Sequence, residues 1–340
     1  MPKSRPTIRD VANLAEVATG TVSRVVNGHS NVAAEIQDRV RHAIAQLGYR
    51  PSSAARSMRT RATRLIACLL PDIRNPLYAD VLSAAETVLS EAGYTLIVAG
   101  TAEDPERELQ LIDTFARHRV DGVIAVPTHE KRRDLHAAYR ALHTPIVMLE
   151  RNMPIPLVGT VATDQARSVH AATSLLLDLG HRRIALLTSP VHNRSGRERA
   201  NGFRAAFADR GLRPDETLIH DDALPASATE AALHTMLRQK NGVTAVITAG
   251  DRSLGGALRA IRATGRRIPQ DISVIAWGDG DLAQLATPAV TAIRYDAIES
   301  GREAARLLLS ALGNDVPPSR TRRVLLPAEL VIRESCAAPP

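Results

Sequence analysis

Residues 7–27 read TIRDVANLAEVATGTVSRVVN. Thr7 and Asp10 have the spacing of a capping box, with Asp in place of the usual Glu or Gln, and predict the start of a short helix. Ile8, Val11, Ala12 and Ala15 then fall on one helical face. Glu16-Val17 interrupts this run, and a second run follows from Thr19 to Val26. Two short helices joined by so tight a turn read as a helix-turn-helix, whose second helix can lie in a DNA major groove. Val22, Val25 and Val26 then face inward, leaving Thr19, Gly20, Ser23, Arg24 and Asn27 nearer the DNA. An ordinary helical hairpin with a solvated polar face fits the same spacing.

Charge distinguishes the two readings. Residues 1–64 carry eleven Lys or Arg against four acidic residues, an excess of seven that equals the formal net charge of the whole 340-residue chain. The rest of the chain is electrically balanced. A cationic patch confined to the segment with helix-turn-helix spacing is the electrostatic footprint of phosphate binding.

The length suits a small head plus a large body, and 44% hydrophobic residues suffice for substantial cores. There is no apolar N-terminal signal segment, and no apolar run approaches the ~20 residues needed to cross a bilayer. Cys68 and Cys336 form neither a disulfide framework nor a metal-ligand spacing, as expected for reduced thiols in a cytoplasmic protein. No metal and no cofactor is expected.

After the second helix, Ala33 to Leu47 reads as a third helix ended by Gly48, and 51–64 as a short helical or tethering segment with a basic linker. The head is accordingly placed at 1–50 and the hinge at 51–64. From Leu65 short apolar runs alternate with amphipathic helices: LIACLL (65–70), YTLIVAG (94–100), GVIAV (122–126) and PIVML (145–149), a crossing point near 161–164, then RIALLT (183–188), AVIT (245–248) and ISVIAW (272–277). Such alternation specifies parallel sheets with helices on both faces. Two successive sets imply two lobes in a body covering 65–340, with 65–163 and 293–325 in one and 164–292 and 326–340 in the other. The fold class is therefore α/β, an all-α head on a two-lobed body with two parallel sheets. The late stretch RRVLLPAELVIRES (322–335) returns to complete each sheet.

Ligands of open parallel sheets bind beyond the carboxyl ends of the strands, so a cleft between the lobes is the expected pocket. The strand-end loops, 72–78, 127–129, 150–151, 189–199, 250–251 and 278–281, are rich in Asp, Glu, Arg and Asn. No GxSxG, P-loop, metal cluster or nucleophile–base spacing accompanies them, although His129 and His192 lie near, and an enzyme is not expected.

Taken together, TIRDVANLA, TVSRVVNG, AIAQLGYRPS, SAARSMRT, LLPDIRNPLYADV, VDGVIAVP, LLLDLGHRRIALLT, RERANGFRAAF and IPQDISVIAWGD follow in the order seen in the lac-repressor (LacI/GalR-type) regulators, which the chain resembles over essentially its full length. The resemblance implies a periplasmic-binding-protein-like body and a homodimeric, effector-controlled repressor on near-palindromic, double-stranded operator DNA. It assigns base reading to Thr19, Gly20 and Arg24, and mainly phosphate contacts to Thr7, Thr21, Ser23 and Asn27. It puts Ala55, Arg56 and Met58 on a hinge helix in the minor groove, with Met58 as the apolar wedge. In the cleft it assigns effector contacts to Tyr78, Glu150, Arg199, Asp251 and Asp279. Trp277, Asn75, Arg151 and Asn193 join them by position. These groups suit a sugar, a sugar acid or a related metabolite, and Arg194 and Arg197 tilt the expectation slightly towards an anion. A periplasmic-type binding protein shares the body but has no use for the basic head.

Three departures from the family pattern stand out. Glu16 replaces a turn Gly, Ala18 and Ala33 replace hydroxyl caps, and Gly20 offers no side chain for base reading. A looser head that leans on Arg24 is the expected consequence. The tail has no leucine heptads for a tetramerising coiled coil.

Overall fold

Short helices close the head around a few small apolar side chains. The computed structural model describes residues 6–26, 31–49, 62–156, 158–222, 225–313 and 321–340, and residues Met1–Thr63 and Arg64–Pro340 form two compact units. In the first, α1 (Ile8–Leu14), α2 (Thr19–Val26) and α3 (Ala34–Leu47) enclose Val11, Ala12, Ala15, Val22, Val40 and Ala43. The capping box forms as the spacing predicts: Asp10 Oδ2 accepts from the Thr7 amide at 2.7 Å, and Thr7 Oγ1 accepts from the Asp10 amide at 3.4 Å. Glu16 sits in the turn at φ 51°. That conformation costs a residue with a Cβ about 1–2 kcal/mol. Arg39 braces the turn from α3, donating to the Glu16 carbonyl at 3.4 Å. Ala33 stands at the α3 N-cap without a side-chain hydrogen bond, as expected. Gly48 ends the helix at φ 63°, the left-handed position that glycine occupies without a Cβ clash.

The body contains two six-stranded sheets. The first comprises β1 (Leu65–Leu70), β2 (Thr95–Gly100), β3 (Gly122–Ala125), β4 (Ile146–Leu149), β5 (Gly159–Thr163) and β11 (Arg322–Leu326). Its order is β11-β5-β4-β3-β1-β2, parallel throughout. The second comprises β6 (Ile184–Leu187), β7 (Ile219–His220), β8 (Ala245–Thr248), β9 (Ser273–Trp277), β10 (Thr291–Tyr295) and β12 (Ala328–Val331). Its order is β12-β10-β9-β8-β6-β7, with β12 antiparallel to β10. The chain changes sheet after β5, after β10 and at Pro327, so the two late strands serve different sheets. Proline has no N–H to donate to a ladder, which makes Pro327 a natural break between them.

Helices cover both faces. α4 (Pro76–Glu91), α5 (Pro105–His118), α6 (Arg133–Ala141) and α12 (Ala297–Leu312) flank the first sheet. α7 (Gln165–Asp178), α8 (Arg194–Ala208), α9 (Ala226–Arg238), α10 (Asp251–Ala263) and α11 (Asp281–Leu285) belong to the second. Each sheet buries a core on both sides, and β1, β3, β4, β8 and β9 are buried almost end to end, as parallel central strands require.

Three points differ from the sequence reading. The stretch read as a bare crossing point is strand β5; GTVAT is β-branched but only half apolar, so it lacks the signal of a buried run. α11 and the two-residue β7 escaped because both are too short to show a period. α8 begins at Arg194, three residues ahead of the helix expected from Arg197 and inside the stretch also read as a strand-end loop. No helix among the described residues is long and apolar enough to cross a membrane.

Candidate functional site

On α2, Thr19, Gly20 and Arg24 are exposed, Thr21 and Ser23 are half-exposed, and Val22 is fully buried against α1 and α3. The inward valines therefore aim the polar face at solvent. Arg24 reaches back along its own helix, with long contacts of 3.4 Å from Nε to the Gly20 carbonyl and from NH2 to Thr21 Oγ1. It has no carboxylate partner in those contacts, and swinging outward costs little. A Cβ built on Gly20 meets nothing within 4 Å, so no packing within the described residues requires glycine there. Thr7 is exposed, but its hydroxyl already serves the cap and also donates to Asp10 Oδ2 at 2.8 Å. Asn27, Ala55, Arg56 and Met58 lie outside the described residues.

The body's strands end at a cleft of about 1000 Å³ between the lobes. Its aromatic wall consists of Tyr78 from α4, Trp277 at the end of β9 and Tyr295 at the end of β10. The Trp277 and Tyr295 rings stack with centroids 5.6 Å apart. The Arg199 guanidinium lies over the indole at 3.9 Å, a cation–π contact. Trp277 is only 3% exposed, so its ring serves first as a platform for Arg199. Arg199 is also held by Gln165 Oε1 at 2.7 Å and the Ala249 carbonyl at 3.0 Å, and burial lowers its pKa to about 10. Burial pushes the Tyr78 hydroxyl up to about 12.

Glu150 follows β4 at φ 55° and turns its carboxylate towards the crossing strand. Oε1 accepts from the Thr163 amide and hydroxyl, both at 2.7 Å, and Oε2 from Gln165 at 2.9 Å and Arg194 at 3.3 Å. Gln165 thus joins Glu150 to Arg199, a bridge the sequence reading missed. Its signal was its place one residue after Asp164, at the lobe crossing.

Asp251 opens α10, with Oδ1 buried and without a hydrogen-bond partner among the described residues. Burial raises its pKa, and the nearby Asp281 and Asp279 add repulsion. A Cβ at Gly280 would lie 2.4 Å from Asp251 Oδ2, so glycine at 280 leaves room for this carboxylate. Asp279 instead is buried in an ion pair with Arg333 at 2.7 Å, a fixed member of the second lobe's frame.

Several expected ligand groups are occupied by protein partners. Asn75 caps α4, its Oδ1 accepting from the Leu77 amide at 3.2 Å. Asn193 is 3% exposed, and its amide spans the lobes by donating to the Thr128 carbonyl at 3.0 Å and accepting from the Glu130 amide at 3.2 Å. Arg151 also spans them, donating to Pro127 and Glu150 carbonyls and to Ser195 Oγ at 3.0 Å. Arg194 and Arg197, read as a tilt towards an anionic ligand, pair with Glu198 at 2.7 Å and Glu130 at 3.4 Å respectively. That tilt therefore loses its basis. At the mouth Arg252 pairs with Asp72, whose pKa is lowered chiefly by its bond to Arg74. His129 and His192 face each other as stacked rings 4.1 Å apart.

Comparison with known proteins covers both units. The model for bacterial regulatory proteins of the lacI family matches residues 7–52, and that for the periplasmic binding protein-like domain matches residues 173–336. The HTH-type transcriptional regulator CelR of Thermobifida fusca is 34% identical over 340 residues, spanning 98% of this chain and 99% of the relative. The ribose operon repressor of Haemophilus influenzae is 30% identical over 330 residues, spanning 97% and 98%. Among solved structures, a CelR–cellobiose complex is 33% identical with a TM-score of 0.73, covering 97% of this chain and 100% of that one. A Lac repressor dimer bound to operator and the anti-inducer ONPF is 25% identical with a TM-score of 0.84, covering 98% and 100%.

Proposed function

Because this chain belongs to the lacI family of bacterial regulatory proteins, we propose that it is a homodimeric repressor of a carbohydrate-utilisation operon, released or recruited by a neutral polyhydroxylated effector. It acts in the cytoplasm on nucleoid DNA, each head of the dimer taking one half of a near-palindromic operator. Arg24 reads a guanine edge, Thr19 and Gly20 lie against the bases, and Thr7, Thr21, Ser23 and Asn27 hold phosphates. Ala55, Arg56 and Met58 enter the minor groove between the heads. β2 supports pairing with a second copy: this edge strand leaves Ile97 and Val98 37% and 42% exposed, an unusual surface for large apolar side chains on a sheet edge.

The observation that carries the effector class is the partnerless Asp251 carboxylate beside an aromatic wall. A carboxylate without a cation in a cleft favours hydroxyl donors and repels a ligand acid, while the ring of Tyr78, which lines the cleft, suits the C–H face of a sugar ring. Arg199 and Glu150 supply one further donor and one further acceptor, and Asn75, Arg151, Asn193 and Asp279 orient the cleft's walls. The cleft has room for two linked rings. The family is one of transcriptional regulators, and this reading gives the cleft a sensing role without turnover.

Effector and operator act through one equilibrium. The contacts joining the lobes, Asn193 with Thr128 and Glu130, and Arg151 with Ser195, differ in strength between two lobe angles. A ligand that prefers one angle shifts the hinge segments at 51–64, and operator DNA must change effector affinity by the same factor. A thermal-shift screen of neutral sugars against sugar acids, followed by operator-binding anisotropy with each hit, tests this. The expected result is a neutral mono- or disaccharide that stabilises the protein saturably and changes operator affinity. Hits confined to sugar acids would overturn the effector class, and a bound sugar without effect on operator affinity would overturn the coupling.

A further inference from the structure

On the far side of β5 from the cleft lies a second, much smaller cavity of about 30 Å³, lined by Arg151, Asn152, Thr160, Ala162, Arg194 and Arg323. We propose that it is a binding site for one small inorganic anion, of the halide kind, that ties the two lobes together independently of the effector.

The alternation of β5 separates the two pockets: Val161 and Thr163 face the cleft, whereas Thr160 and Ala162 face this cavity. Arg323 is the register partner of Thr160 on β11 and stands exposed at the mouth. Arg194, from the other lobe, is only 4% exposed and forms the inner wall. Its terminal nitrogens are committed, NH1 to Glu150 at 3.3 Å and NH2 to Glu198 at 2.7 Å. Its Nε is buried and has no hydrogen-bond partner among the described residues. An unmet donor on a buried cation costs free energy that an incoming acceptor recovers.

Charge selects the kind of acceptor. Three guanidinium groups border the cavity; Glu150 and Glu198 are both already bonded to Arg194, and Glu130, which accepts from the Asn152 backbone amide, is paired with Arg197. Arg151 is buried and gives its hydrogen bonds to two carbonyls and a hydroxyl, so its charge meets no carboxylate through those bonds. Water can satisfy Nε but leaves the excess positive charge in place. An anion satisfies both, with the Thr160 hydroxyl and the Asn152 side-chain amide as neutral donors. The volume admits a particle of about two waters at most, which excludes sugars and organic acids of effector size. Since Arg194 belongs to one lobe and Thr160, Asn152 and Arg323 to the other, the occupant bridges them.

The test is the unfolding midpoint of the full-length protein titrated with sodium phosphate and, separately, with sodium chloride. Ionic strength is held constant with the sodium salt of a sulfonate buffer too large for the cavity. The expected result is a saturable rise with chloride and none with phosphate, which is larger than the cavity admits. Arg323→Ala should weaken that response about tenfold or more, the loss of one charge-assisted contact. Arg322→Ala, an exposed neighbour on the opposite face of the strand, should leave it intact. A rise that does not saturate, or that Arg323→Ala leaves unchanged, marks an adventitious ion or bulk salt effect and overturns the site. Neither operator nor effector enters the experiment, so its outcome is separate from that of the sensing model.

Discussion

The head and the body use arginine in opposite ways. Arg24 is exposed on α2, tethered among the described residues by 3.4 Å contacts to its own helix, while Arg194 and Arg199 are buried in the body and bonded to protein carboxylates, carbonyls and amides. The head leaves its charge available for a polyanion outside; the body uses its charge to hold two lobes at a defined angle. The same side chain is thus exposed to solvent in one unit and a strut in the other. The difference lies in burial and in which carboxylates are near.

This contrast is sharpest where a strut is removed. Arg194→Ala strips the cation from Glu150 and Glu198 and leaves two half-buried carboxylates without it. About 3–5 kcal/mol of body stability should be lost, read as a lower denaturant midpoint for the body transition. A loss below 1 kcal/mol would mean the network is solvated and not a strut. Arg24→Ala should do the reverse. Stability should stay within about 0.5 kcal/mol, while discrimination between operator and a base-substituted operator should fall by about 1–3 kcal/mol, measured by anisotropy at fixed salt. Equal losses on both DNAs would reassign Arg24 to phosphate.

Asp251 offers a subtler contrast, because it is a body carboxylate that lacks a strut. Its folded pKa stands above the ordinary 3.8 through burial and its acidic neighbours. A ligand hydroxyl donating to the ionised form lowers that pKa on binding, so binding releases a proton. Effector affinity should therefore fall as pH drops from neutrality through the raised pKa, and Asp251→Asn should flatten the profile in calorimetry. An unchanged profile in the variant would remove Asp251 from the ligand. The smallest effect is expected in the head. Gly20→Ala meets open space in the structure and should stabilise the α2 region by about 0.5–1 kcal/mol. If Gly20 lies against bases, the same change should also alter operator preference. Stabilisation without any change in binding would place it away from the DNA.

Much of this architecture was legible before any coordinates. The alternation from Leu65 onwards sets out most strands of two parallel sheets, because a buried parallel strand needs a continuous apolar run. Thr7 and Asp10 predicted their cap, and the break at Glu16-Val17 predicted the turn between α1 and α2. Other features were hidden for definite reasons. β5 carries too few apolar side chains, and α11 is too short to show a period. Arg197 appeared to be a free cation at a pocket because its partner Glu130 lies far away in sequence, and Arg194 did so because 194 was read as loop, where the helical spacing to Glu198 does not show. Asn193 likewise looked like a ligand group until its lobe-bridging bonds were seen.

The sequence by itself determined where the charge sits, where most helices and strands lie, and that a small basic head precedes a two-lobed α/β body. These properties depend on neighbours within a few residues and on composition. Only the tertiary structure decided which polar groups in the cleft are already satisfied, and that among the described residues the buried Asp251 Oδ1 and Arg194 Nε are without a hydrogen-bond partner. Hydrogen bonds and ion pairs in a packed interior are settled by distances of a few ångströms between residues tens of positions apart, and no local pattern encodes those distances.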